Sequence, residues 1–255
     1  MSESAITSSS AEAALAEVER HMVGRVVDAP LETAPFPYFY AESAFPPEFY
    51  GEMRRHLPPA SAYKKISETG RTGGYYERRL VLPLSIDKDV AGLTASQQAF
   101  WRSLLRLFAH SKFTGALLNK FASTLERAVG KGLDQLQYGI EVMLVKDLDG
   151  YEIGPHTDIK NRAVSIMFYM PSSERYEPYG TAIYRPRMPG MRSDGSRHYP
   201  FDGFERVKTM PCRANSMFAF QRNDVSFHGV EPIAEPGCER DVLLYILRWR
   251  DPTGR

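Results

Sequence analysis

After residue 136 the chain breaks into short β-rich runs, and this segmentation restricts its fold more than any other feature. The runs cover 137–146, 162–170, 181–184, 216–221, 225–233 and 241–249. Turn residues separate them: Asp149-Gly150, Pro171-Ser172, Pro189-Gly190, Asp194-Gly195 and Pro236-Gly237. Many short strands at such spacing predict a sandwich or barrel. No internal repeat is visible.

The first half has a different texture. Leu15, Val18, Met22 and Val26 recur at helical spacing and predict a helix over 11–27, preceded by a small, polar, frayed stretch at 2–10. Pro30, Pro35 and Pro37 break regularity, and the aromatic run 36–45 reads as extended. Pro46-Pro47-Glu48 opens a helix that Pro58-Pro59 closes. Helical periodicity returns over 94–129 on Phe100, Leu104, Leu107, Phe108 and Phe113, with a kink expected within 112–118. Residues 1–255 read as one domain, in which a largely helical region, 1–135, supports a β core, 136–250, that carries the chemistry.

Composition excludes several functions. Lys+Arg 32 against Asp+Glu 31 gives a net charge of +1, which offers nucleic acid or an anionic membrane no electrostatic footprint. No stretch approaches the ~20 apolar residues of a membrane span. Cys212 and Cys238 form no CxxC pair and no secretory pattern precedes them, so a reducing cytoplasm is the expected home.

The chemistry concentrates in Gly154-Pro155-His156-Thr157-Asp158 and Phe227-His228-Gly229-Val230. Alternate side chains of a strand leave the same face, so His156 and Asp158 can grip one metal ion. His228 is the expected third ligand, brought in from a distant strand. Two histidines and a carboxylate on one side of a metal leave the other positions open, as in non-heme Fe(II) oxygenases. His21, His56 and His110 fall on predicted helices and read as packing or surface residues, while His198 lies in a polar loop that can meet a substrate.

The residues Pro155-His156-Thr157-Asp158, then 165–170 (SIMFYM), 223–232 (NDVSFHGVEP) and 240–244 (RDVLL), resemble the 2-oxoglutarate/Fe(II)-dependent dioxygenase superfamily over roughly 136–249. Phe36-Pro37-Tyr38-Phe39 and Phe45-Pro46-Pro47-Glu48 are similar to the N-terminal entry of its bacterial members. The resemblance implies a mainly β fold with α, a double-stranded β-helix or distorted jelly roll supported by N-terminal helices. It implies His156, Asp158 and His228 as iron ligands, Arg240 on the far carboxylate of 2-oxoglutarate, and dioxygen as the third reactant. A guanidinium suits that carboxylate because two parallel N–H bonds match two oxygens. Many relatives carry a hydroxyl residue two positions after this arginine. Val242 stands there in this chain, so Tyr169 or Tyr138 is expected to supply the hydroxyl. Related halogenases have a small residue at the carboxylate position; Asp158 therefore implies oxidation without halide.

Residues 162–208 carry seven Arg and one Lys against five acidic residues, and 185–208 read as a long loop. The expected substrate is a small, polar or anionic molecule held near Arg185, Arg187 or Arg197, with the glycine-rich stretch 70–76 as a second lid. Hydroxylation of a protein or peptide side chain is the alternative enzyme reading. The same three ligands would also suit a zinc hydrolase, with Glu152 as base, or a non-catalytic β-barrel that binds metal or a small acid.

Overall fold

The computed structural model describes residues 3–69, 76–109 and 111–250. Along the first half of the chain run α1 (Glu3–Asp28), β1 (Tyr38–Glu42), α2 (Pro47–Arg55), β2 (Lys64–Lys65), β3 (Arg79–Pro83), α3 (Asp87–Val90), α4 (Ala95–Ala109) and α5 (Ser111–Val129). The second half holds β4 (Gln137–Leu148), β5 (Ile153–His156), β6 (Arg162–Tyr169), β7 (Ala182–Pro186), β8 (Phe204–Thr209), β9 (Ser216–Gln221), β10 (His228–Val230) and β11 (Glu239–Arg250). The strands form a seven-stranded sheet, β1-β9-β6-β11-β4-β3-β2, and a four-stranded sheet, β5-β10-β7-β8. Every pairing is antiparallel.

Period-two burial decides which face of the large sheet meets what. Val142 and Leu144 of β4, Val164, Ile166 and Phe168 of β6, and Leu243, Tyr245 and Leu247 of β11 share one cluster with Met22, Trp101, Phe108, Phe113 and Phe121 of the helices. Their neighbours Met143, Val145, Met167, Tyr169, Val242 and Ile246 turn the other way and pack with Ile183 of the small sheet. Because both faces are covered, these strands read as unbroken apolar runs rather than alternating ones. Each fully buried large apolar side chain contributes about 1.5–3 kcal/mol, so the helical face anchors the sheet. The result is an antiparallel β fold with helices on one side, in keeping with the double-stranded β-helix class.

Several local expectations change. Helix α1 already begins at Glu3. The 94–129 stretch holds two helices, α4 ending at Ala109 and α5 beginning at Ser111, and His110 lies outside the described residues. The region 1–135 is more than helical support, since β1, β2 and β3 join the large sheet. Residues 185–208 are not one loop, because β8 pairs with β7; its exposed, mostly charged side chains hid that edge strand. In the run 225–233 only His228–Val230 is strand. Just before it, Asn223 Oδ1 accepts from Val225 N and Ser226 Oγ accepts from Asn223 N, and such side-chain bonds compete with a ladder. His21 and His56 are structural: His21 Nε2 meets Ser43 O at 2.7 Å, and His56 stacks on Phe100 with ring centroids 4.5 Å apart.

Candidate metal centre

His156 is the last residue of β5, His228 is the first of β10, and the two are direct register partners. Their ring centroids lie 4.4 Å apart. Asp158 follows two residues after His156, and ligand atoms of His156, Asp158 and His228 all fall within 4.8 Å of one another. The close approach of the two strands needs glycine: a Cβ on Gly229 would stand 2.5 Å from Ile153 O. Behind Asp158, Gly195 has φ +86° and a Cβ there would stand 2.3 Å from Asp158 O.

Backbone carbonyls set the histidine tautomers. His156 Nδ1 meets Gly154 O at 2.9 Å and His228 Nδ1 meets Ser226 O at 2.9 Å. Since a carbonyl only accepts, each Nδ1 carries the hydrogen and each Nε2 keeps its lone pair for a metal. Burial holds the pKa of both rings below the usual histidine value, and for His156 the charges of His228 and His198 add to it. Asp158 is buried, which by itself raises its pKa, yet Arg162, then the two ligand imidazoles, and Ser165 together bring it far below the carboxylate range. Arg162 Nη1 donates to Oδ1 at 2.5 Å and Ser165 Oγ to Oδ2 at 2.6 Å. Two neutral imidazoles with free nitrogens and one ionised carboxylate fit a divalent metal and suit Fe(II).

The same pocket reaches Arg240. His156, Asp158, His228, Thr181, Arg79 and Arg240 all line it. Arg240 is 1% exposed, and its Nε has no hydrogen-bond partner. A guanidinium that lines the metal pocket and keeps a buried, orphaned N–H fits the distal carboxylate of a keto acid such as 2-oxoglutarate. Tyr169 is placed beside it, with the Arg240 guanidinium 5.3 Å from the ring centroid. The Tyr169 hydroxyl donates to Thr181 Oγ1 at 2.8 Å and accepts from Thr181 N at 3.1 Å. Burial pushes its pKa up to about 12, so the phenol keeps its proton. Thr181, which the sequence reading passed over, thus brings a pocket hydroxyl near the site where Val242 has none.

Other expected residues are not brought together. Tyr138 is 37% exposed and pairs with Trp249 at the opposite end of β4 from Asp147, which pairs with Arg240; it does not line the pocket. Parity and position both exclude it: Tyr138 shares the face of Val142 and Leu144 that meets the helices, and nine residues of strand, about 30 Å, separate it from Asp147. Arg185 is exposed and bonded to Glu205, and Arg187 and Arg197 are exposed too. None of these arginines lines the pocket, because each sits on an outer edge or loop. Glu152, the candidate base of a hydrolase, is also exposed and absent from the lining, where Asp158 is the one carboxylate among the described residues.

The loop before β8 does reach the site through another residue. Its backbone is pinned to the ligand strand: Tyr199 N donates to Pro155 O at 2.9 Å, and Thr157 Oγ1 to Ser193 O at 3.2 Å. This brings the His198 ring 4.4 Å from that of His156, with His198 Nδ1 bonded to the Tyr76 hydroxyl. Desolvation of the ring, then the charges of His228 and Arg79, lower the His198 pKa. Tyr76 is the one described residue of the stretch 70–76; residues 70–75 lie outside the described part. Two further pocket residues, Arg79 and Arg162, carried no local motif, and only strand register or a folded loop reveals them.

No protein-family model matches the sequence, and no curated protein does. Solved structures do. An oxidoreductase of the 2OG-Fe(II) oxygenase family from Burkholderia pseudomallei is 14% identical, with 83% of this chain and 85% of that one covered, at a TM-score of 0.50. A Pseudomonas putida prolyl-4-hydroxylase is 16% identical, covering 90% of this chain and 100% of its own, at 0.49. HygX from Streptomyces hygroscopicus, solved with nickel, 2-oxoglutarate and hygromycin B, is 10% identical over 83% of this chain and 82% of its own, at 0.48. At such identities the likeness concerns the fold alone. The fold of this chain is similar to that of the Burkholderia pseudomallei oxidoreductase of the 2OG-Fe(II) oxygenase family.

Proposed function

We propose that the protein is an Fe(II)- and 2-oxoglutarate-dependent oxygenase that hydroxylates, or otherwise oxidises, a C–H bond of a small polar molecule. One observation carries this reading: a single pocket is lined by the His156, Asp158 and His228 donors and by Arg240 with its unpartnered Nε. When bound, the ferrous ion and keto acid would supply the oxygen chemistry, with carbon dioxide and succinate as products.

The chain's own residues hold and shield. His156 and His228 present Nε2 because Gly154 O and Ser226 O occupy the other ring edge. Arg162 and Ser165 keep Asp158 ionised and oriented. Arg240 is the co-substrate anchor, and Tyr169 and Thr181 hold one another beside it. Val145, Met167, Phe220, Val242 and Leu244 wall the pocket and limit water. His198, pinned next to His156, is the residue best placed to meet the substrate.

The test is direct. Fe(II) and 2-oxoglutarate are combined with the protein without air, and the visible charge-transfer absorption of the chelate is sought. Oxygen is then admitted and succinate measured. An absorption band followed by succinate is the expected result. Metal binding with neither would refute the oxygenase reading and favour a hydrolase or a binding protein.

A further inference from the structure

The anchor arginine does not stand alone. Arg240 on β11 and Arg79 on β3 are both register partners of Asp147 on the strand between them, β4. Asp147 is 0% exposed and receives both. Arg79 Nε donates to Oδ1 at 2.6 Å and its Nη2 to Oδ2 at 2.9 Å, while Arg240 Nη1 also donates to Oδ2. Each guanidinium is backed by an aromatic ring: Arg79 lies 4.3 Å from the Tyr151 centroid, and Arg240 5.3 Å from that of Tyr169.

Two cations share one anion in this row, so the row carries a net charge of +1. The Asp147 carboxylate already takes three guanidinium N–H bonds, and Arg240 Nε remains orphaned. A buried surplus charge is costly unless an anion meets it. Both guanidiniums line the pocket that the metal ligands share. We propose that Arg79 is a second binding residue for the co-substrate: Arg79 and Arg240, bridged by Asp147, form one receptor for its distal carboxylate, and Arg79 supplies the surplus charge.

This inference rests on the oxygenase reading and deepens it. It gives β3, from the N-terminal half, a place in binding. The competing explanation is a strut, in which Arg79 merely ties β3 to β4. A strut has no reason to distinguish one keto acid from another, whereas a receptor for the distal carboxylate does.

Calorimetry on the zinc-loaded protein, which cannot turn over, separates the two. The ligands are 2-oxoglutarate and pyruvate, the same keto-acid head without the distal carboxylate. Arg79→Gln should weaken 2-oxoglutarate binding by about 10- to 100-fold and change pyruvate binding by less than about threefold. Arg79→Lys, which keeps the charge and loses the fork, should fall between the wild type and Arg79→Gln and guards against a folding defect. Unchanged 2-oxoglutarate affinity in Arg79→Gln, or an equal loss for both acids, would overturn the role of Arg79 while leaving the oxygenase reading intact. A wild-type protein with no preference for 2-oxoglutarate over pyruvate would overturn the receptor together with the co-substrate reading beneath it.

Discussion

The two ends of the pocket are built by different means. At the metal end, His156 and Asp158 are neighbours in sequence and His228 is the register partner of the first. Its polar groups are satisfied locally, by carbonyls two residues away and by Arg162 and Ser165. At the other end, Arg79, Asp147 and Arg240 come from three strands and meet only through the ladder of the large sheet. The first end gathers three donors that suit a cation; the arginine end sets two guanidiniums against one carboxylate, which suits an anion. A local motif can specify the first, but only long-range register can specify the second.

The sharpest way to break this contrast is to remove its central anion. Asp147→Ala leaves the buried Arg240 guanidinium and the half-buried Arg79 guanidinium beside one another without a counterion. Breaking a buried ion pair costs about 3–5 kcal/mol, so chemical denaturation should show a loss of that size. Zinc affinity of the folded fraction should stay near that of the wild type. A stable Asp147→Ala protein would mean that the row is solvated, and the surplus-charge argument would go with it.

Removing a proposed metal ligand attacks the other end. His228→Ala should weaken zinc binding by at least about 100-fold, beyond the range usual for residues that only support a ligand. Competition with a chelator of known affinity measures this, and an unchanged affinity would remove His228 from the ligand set. Arg240→Ala should spare zinc binding and raise the dissociation constant of 2-oxoglutarate by about 10- to 100-fold, the worth of a lost charge-assisted contact. Should Arg240→Ala leave that constant alone, the two ends would not belong to one site.

This difference in construction also explains what was legible beforehand. The sheet core was readable because runs such as 162–170 and 216–221 are apolar on both faces, and β9 has the bounds that its run suggested. The pair His156 and Asp158 was readable because two residues along an extended chain share a face. Tyr138 stands away from the pocket because the tertiary fold decides which face and which end of β4 meets it, and a lone sequence run reports neither. Arg79 was invisible: the run 79–83 is short, follows a glycine-rich stretch, and acquires meaning only when β4 places Asp147 opposite it. The arginines at 185, 187 and 197 drew attention through local charge density, yet solvent and surface partners such as Glu205 satisfy them.

Between pH 5.5 and 7.5 the two ends should also respond differently. Burial lowers the pKa of His156 and of His228 in the folded protein, whereas an unfolded chain protonates its histidines near 6.5. Unfolded protein therefore binds more protons in this window, so the stability of the metal-free protein falls as pH drops below about 6.5. The slope is about 1.4 kcal/mol per pH unit for each such histidine while its folded form stays neutral. The arginine end adds nothing here, since Asp147 holds the pKa of Arg240 above even the usual guanidinium value despite burial. Urea midpoints across this range should fall with pH in the wild type and less steeply in His228→Ala. An equal slope in the two proteins would show that the ring at 228 is not held neutral by burial.

The smallest effect belongs to the surface arginines. Arg185 and Glu205 are each 55% exposed in their side chains and bonded to one another across β7 and β8. Exposed pairs of this kind contribute about 0–1 kcal/mol, and salt screens them. Arg185→Ala should therefore shift stability by less than about 1 kcal/mol and leave both zinc and 2-oxoglutarate affinity at wild-type values. The informative failure is a selective one. If Arg185→Ala kept its zinc and 2-oxoglutarate affinity but lost turnover with an identified substrate, the edge formed by β7 and β8 would be a recognition surface. The pocket would then have a third end, one that charge density along 162–208 had marked correctly.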